Sequence, residues 1–166
     1  MKNNLQVSAV FKVEMEISGQ PQGKGRPRFT KTGKAYTPDK TKEYESRIQA
    51  AAWKAMQKAK LEPTERFVAV DIIAFMEIPK SWSTVKRMEA EYGALQHTVK
   101  PDLDNIVKAA LDGIEGAVYV SDKQVTSIKA KKCIATQTGV QCFIYRCRGQ
   151  TQKCKTNLHH MSHATV

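Results

Sequence analysis

The chain has 166 residues, 41% hydrophobic and 26% charged, which is enough apolar side chain for one domain with its own core and removes the need for a second. Its 27 Lys and Arg against 16 Asp and Glu leave a formal net charge of +11, a balance that fits a nucleic-acid partner better than an acidic small metabolite. The N-terminus has no apolar run of secretory length and no stretch approaches the ~18 apolar residues of a membrane helix, so the expected location is the cytoplasm, with Cys133, Cys142, Cys147 and Cys154 reduced.

In chain order, residues 9–18 alternate apolar and polar from Phe11 onward, as a strand with one buried face does, and Gly19 ends it. Gly19, Pro21, Gly23, Gly25, Pro27 and Gly33 break both helix and strand, so the stretch to Tyr36 reads as a long loop. Thr37-Pro38 offers an N-cap followed by proline at the first helical position, opening a helix to about Lys60. Its inner stripe is Tyr44, Ile48, Ala51, Ala52, Ala55 and Ala59; Trp53 falls off that stripe and suggests a second buried surface, between subunits. Phe67 to Ile78 is the most apolar and β-branched run and reads as a central strand stopped by Pro79.

A short helix is expected from Ser83 to Tyr92, with Gly93 at its C-terminus, and an extended link through His97 and Val99 leads into a second helix that Gly113 and Gly116 end. A short strand, 117–120, then precedes a hairpin of 124–135 and 139–148 joined at Thr136-Gln137-Thr138, with Asp122 in the connection. From Gly149 the composition turns polar and reads as a flexible tail. The fold class is therefore α/β in the α+β sense, a small mixed sheet of about four to five strands flanked by helices.

Asp102, Asp104, Asp112 and Asp122 lie close together along this cationic chain, and carboxylates grouped in a basic protein need a reason. If the fold gathers Asp102, Asp104 and Asp122, mutual repulsion raises their pKa values unless a cation neutralises them, and hard oxygen donors favour Mg²⁺ or Mn²⁺. A metal held by aspartates among Lys and Arg supplies what phosphodiester hydrolysis requires: phosphate charge neutralised and a water activated. Leu103, Ile106, Val107, Ala110, Leu111 and Ile114 form an apolar helical stripe, while Asp104, Lys108 and Asp112 follow one another at i, i+4 on another face. Pro101 disfavours helix at Lys100, and Asp102 or Asp104 can cap the helix start. The competing reading is a solvated face with a capping aspartate and an ordinary Asp-Lys pair.

The run Lys100-Pro101-Asp102-Leu103-Asp104-Asn105-Ile106-Val107-Lys108, then Leu111-Asp112-Gly113, then Val118-Tyr119-Val120-Ser121-Asp122-Lys123-Gln124-Val125, resembles the signature of the RusA family of Holliday junction resolvases. Gly23 to Thr30 resembles the family's N-terminal basic loop, and Ile78 to Ser83 the segment leaving its central strand, so the likeness spans roughly residues 10–147 in three ordered blocks. The resemblance implies that Asp102, Asp104 and Asp122 bind metal and that Lys108 is the catalytic lysine. It also implies a Mg²⁺-dependent homodimer, with Mn²⁺ able to substitute, that cuts two opposed strands of a four-way DNA junction, in a bacterial or phage setting. Where the family often has two adjacent aspartates, Ser121 replaces the first, so Asp122 is placed by its position before Lys123-Gln124. A RusA-like domain is expected over 1–148 and the tail over 149–166.

Gly23-Lys24-Gly25-Arg26-Pro27-Arg28 lacks the Gly-Lys-Ser/Thr ending of a nucleotide P-loop, so no nucleotide cofactor is expected. If this loop is extended, Lys24, Arg26 and Arg28 project to one side at period two and, with Lys31 and Lys34, make a phosphate-contacting arm. Cys142, Cys147, Cys154, His159, His160 and His163 contain zinc-type donors, but without a Cys-x₂-Cys pair and with Cys142 and Cys147 on opposite strand faces they do not read as a zinc site. The function expected is a metal-dependent endonuclease for branched DNA. The alternatives are a non-catalytic DNA-binding protein, or a flap or RNA-directed nuclease.

Overall fold

The computed structural model describes residues 11–146. Cys147, Cys154, the three histidines after them and the tail at 149–166 lie outside the described residues. Strand β1 (Lys12–Ser18) buries Val13, Met15 and Ile17 and exposes the polar residues between them, as its alternation predicts. Helix α1 (Asp39–Ala59) follows, then strand β4 (Val68–Met76), helices α2 (Thr84–Glu91) and α3 (Leu103–Ile114), and strands β5 (Val125–Ile134) and β6 (Gly139–Arg146). Within the expected loop, β2 (Arg28–Phe29) and β3 (Ala35–Tyr36) form a small antiparallel ribbon, its turn tightened by Thr30 N–H donating to the Lys34 carbonyl and by Gly33 at φ +80°.

The main sheet has the order β1-β6-β4-β5, antiparallel except for the parallel pair β4 and β5. The expected hairpin is therefore not formed, because β4 lies between β5 and β6. The reason is backbone pairing: β4 is the most apolar strand, and a neighbour on each side satisfies its amide and carbonyl groups along both edges. The chain between β4 and β5 is the crossover that a parallel pair needs, and it carries α3. Helices α1 and α3 pack on each other and cover one sheet face, so that Ile48, Ala52, Met56, Ile106, Ala110 and Ile114 share a core with Val70, Ile72, Ala74, Cys142 and Ile144. On the opposite face Ile73, Phe75, Phe143 and Tyr145 remain half-buried.

Four local expectations are corrected. Pro38, at φ −57° and ψ 142°, occupies the cap position of α1 in place of Thr37, and its carbonyl accepts from Thr41 N–H at 2.9 Å. Met56 is buried on α1 where Ala59 is exposed, since the inner stripe turns away before the last residue. Gly113 does not end α3 but lies inside it, where a Cβ would stand 2.7 Å from Ile48 Cβ, so glycine permits the close approach of the two helices. Residues 117–120 form a turn, with Tyr119 fully buried and bridged to Thr64 and Glu115.

Candidate active site

Asp102 occupies the N-cap position of α3, its carbonyl accepting from Ile106 N–H at 3.1 Å, yet its carboxylate caps nothing and is free for other partners. Asp104 stands in the first turn, and Lys108 and Asp112 follow on the same face. Together with Asp122 these three line a cleft of about 480 Å³ whose wall is apolar: Leu103, Val107, Leu111 and Ala130. Asp104, Lys108 and Asp122 are exposed, so each can meet a large solvated substrate.

Asp122 is brought to this cleft by a single 3₁₀ turn, Asp122–Gln124. Its amide donates to Glu115 Oε1 at 3.1 Å, and Ser121 N–H donates to Gln124 Oε1 at 2.8 Å. The Tyr119 hydroxyl donates to the Leu111 carbonyl at 3.0 Å, tying the segment that leads into this turn back to α3. Burial raises the pKa of that hydroxyl well above the usual tyrosine value, and the negative charges of Glu115 and Asp122 add to the effect.

Asp102, at the start of the same helix, lines a neighbouring cleft of about 660 Å³ with Gly23, Lys24, Arg26, Lys100 and Asn105. Among the described residues, no three acidic, histidine or cysteine side chains come together as a metal-holding group. Asp104 and Asp122 are nevertheless hard oxygen donors beside an open, solvated cleft, and Mg²⁺ is commonly held by one or two carboxylates with water and phosphate completing its shell. On donor chemistry the pair fits.

The base of the basic loop, residues 23–25, is strapped to the fold, and the residues after it are exposed. Lys24 N–H donates to the Asn105 carbonyl at 2.9 Å, and Gly25 N–H to Thr41 Oγ1 at 3.2 Å. Added Cβ atoms at Gly23 and Gly25 would stand 2.9 Å from Asn105 Cβ and 2.7 Å from Thr41 Oγ1. The Lys24 ammonium pairs with Asp112 and, at 3.3 Å, with Glu45, so it turns inward and the outward arm begins at Arg26. Arg26, Arg28, Lys31 and Lys34 are exposed. Lys100, in the sequence only the first residue of the family-like run, joins Arg26 in the second cleft, and Lys132, which no motif singles out, donates from its ammonium to the carbonyls of Val99 at 2.9 Å and Pro101 at 3.0 Å just before Asp102. Glu115 carries no sequence signal, and Gln124 stands in the sequence only as a marker for Asp122, because the partners of both are set by the fold.

Among the described residues no helix is long and apolar enough to cross a membrane. Residues 18–145 match the model of the family described as endodeoxyribonuclease RusA. An uncharacterized Bacillus subtilis (strain 168) protein, YqaN, is 31% identical over 135 residues, covering 80% of this chain and 94% of that protein. The matched span runs from the end of β1 through β6 and takes in both walls of the cleft, and the chain belongs to the RusA endodeoxyribonuclease family.

Proposed function

We propose that this protein is a Mg²⁺-dependent, structure-selective DNA endonuclease that resolves four-way junctions by paired phosphodiester hydrolysis, acting as a homodimer in the cytoplasm. The observation that carries the reading is that Asp104 and Asp122, from two separate chain segments, share one cleft with Lys108 in a protein of net charge +11. Asp104 and Asp122 would hold the metal, with Asp102 contributing from the adjoining side of the helix start. When bound, a divalent cation neutralises phosphate charge and lowers the pKa of water. Lys108, one turn into α3, offers its ammonium to the phosphoryl oxygens as their charge grows. Arg26, Arg28, Lys31 and Lys34 bind backbone phosphates outside the reacting position. Two sites related by a twofold axis suit a substrate with two equivalent strands, and Trp53, 43% exposed on α1, belongs to a candidate subunit contact.

The test is incubation with an end-labelled four-way junction and a matched linear duplex, with Mg²⁺, Mn²⁺ or EDTA. Symmetric cuts in two opposed strands of the junction, an intact duplex and no cleavage in EDTA are the expected results. Junction binding with no metal-dependent cutting would make the protein a binding module instead, and preferential cutting of a flap would change the substrate.

A further inference from the structure

We propose that Gln124 is a positioning residue that sets Asp122 against α3 by anchoring its turn to the segment entering the central strand. The proposal rests on the reading of Asp122 as a metal-binding carboxylate. Gln124 is only 9% exposed, and its amide is fully engaged: Nε2 donates to the carbonyls of Thr64 at 2.7 Å and Arg66 at 3.0 Å, while Oε1 accepts from Ser121 N–H. Two donors and one acceptor at the end of a three-bond stem match the neutral amide of glutamine. A carboxylate there would face two carbonyl oxygens, and an apolar side chain would leave three backbone groups without that partner.

The anchor point matters for the site. Thr64 and Arg66 stand immediately before β4, which is paired along both edges, and Thr64 N–H also donates to the Val118 carbonyl at 3.0 Å. The 3₁₀ turn is thus gripped from two directions, by Gln124 from the entrance to β4 and by Glu115 Oε1 from the end of α3. Asp122 lies between the two grips, opposite Asp104 and Lys108, so the width of the cleft depends on both. Side chains that hold a ligand in place are commonly worth about 10- to 100-fold in metal affinity or activity.

The full-length Gln124→Met variant, nearly isosteric, is compared with wild type and with Asp122→Asn in four measurements: thermal unfolding, junction affinity in EDTA, Mn²⁺ affinity by electron paramagnetic resonance of the free ion, and hydrogen exchange at residues 121–122. The expected result is a cooperative fold, unchanged junction affinity, faster exchange at both amides and Mn²⁺ binding weaker by about tenfold or more. Faster exchange with wild-type Mn²⁺ affinity and cleavage, while Asp122→Asn loses both, would overturn the role of Gln124 and leave Asp122 as a ligand. If Asp122→Asn itself binds Mn²⁺ and cuts normally, the ligand reading falls and the Gln124 role with it. Should Gln124→Met not fold, Gln124→Asn, too short to span both ends of the anchor, is judged by the same measurements.

Discussion

Lys108 and Lys24 show how two lysines of a cationic protein come to differ. Lys108 is exposed in the cleft and pairs with no carboxylate among the described salt bridges, so its charge is available to a phosphoryl group. Lys108→Met keeps the stem and the helix propensity, and turnover should fall by a factor on the order of 10²–10³ with junction affinity nearly unchanged, as for loss of one preorganised electrostatic donor. Single-turnover cleavage alongside equilibrium binding checks this, and a loss confined to affinity would make Lys108 a DNA-positioning residue. Lys24 is committed to Glu45 on α1 and Asp112 on α3, with side chains only a quarter to a third exposed. The shared face of Asp104, Lys108 and Asp112 was legible because helical periodicity is local. The partner of Lys24 lies 88 residues away, and no spacing rule reaches that far.

At the scale of elements, the contact between α1 and α3 decides where the catalytic helix sits. Gly113→Ala gains about 1 kcal/mol of helix propensity but drives a methyl group to 2.7 Å from Ile48 Cβ and 3.2 Å from the Glu45 carbonyl. Overpacking of this kind costs roughly 1–3 kcal/mol, so net destabilisation is expected, read as a lower urea midpoint with an unchanged m-value. Gly113 reads from sequence as a helix stop because a glycine near a helix end usually is one; only the position of Ile48 shows otherwise. The hairpin misreading has the same origin. A three-residue gap between β-type runs signals a hairpin locally, while the edges of β4 are satisfied by pairing that the local signal does not contain. The four strands of the main sheet, the long helix and the acidic helix were legible from period and breakers alone, whereas the short ribbon of β2 and β3 and the turn at 117–120 were not.

The link between α2 and α3 adds a pH dependence. His97 is buried, and burial first, then the Lys132 charge, lower its pKa below the usual 6.5, with backbone hydrogen bonds partly opposing. The unfolded chain therefore binds more protons than the folded one just below pH 6.5, and stability falls as pH drops through that window and is fully present above it. Thermal midpoints measured between pH 7.5 and 5.5 should decline for wild type and decline less for His97→Gln. Equal slopes would mean that other groups carry the acid sensitivity. Because this link and Lys132 hold the backbone ahead of Asp102, its loosening in acid would reach the site.

For the whole molecule, the question is whether the net charge of +11 is spread as a general attraction or focused by the ribbon beyond the strap. Gly23, Lys24 and Gly25 fix the base of that segment to α1 and α3, so Arg26 and Arg28 emerge from a rigid mount beside the cleft of Lys100 and Asp102. The planar fork of a guanidinium loses little freedom per hydrogen bond made to a phosphate, and each neutralised phosphate releases close to one counterion. Arg26→Ala with Arg28→Ala should therefore weaken junction binding and flatten the slope of log K against log salt concentration by roughly two. Lys24→Met, which removes a charge already paired within the fold, should leave that slope unchanged even though the formal charge falls. Junction affinities across a salt series separate the cases: equal flattening by the arginine pair and by Lys24→Met would mean that binding follows net charge alone, whereas an effect confined to the arginines places the phosphate contacts on the mounted ribbon.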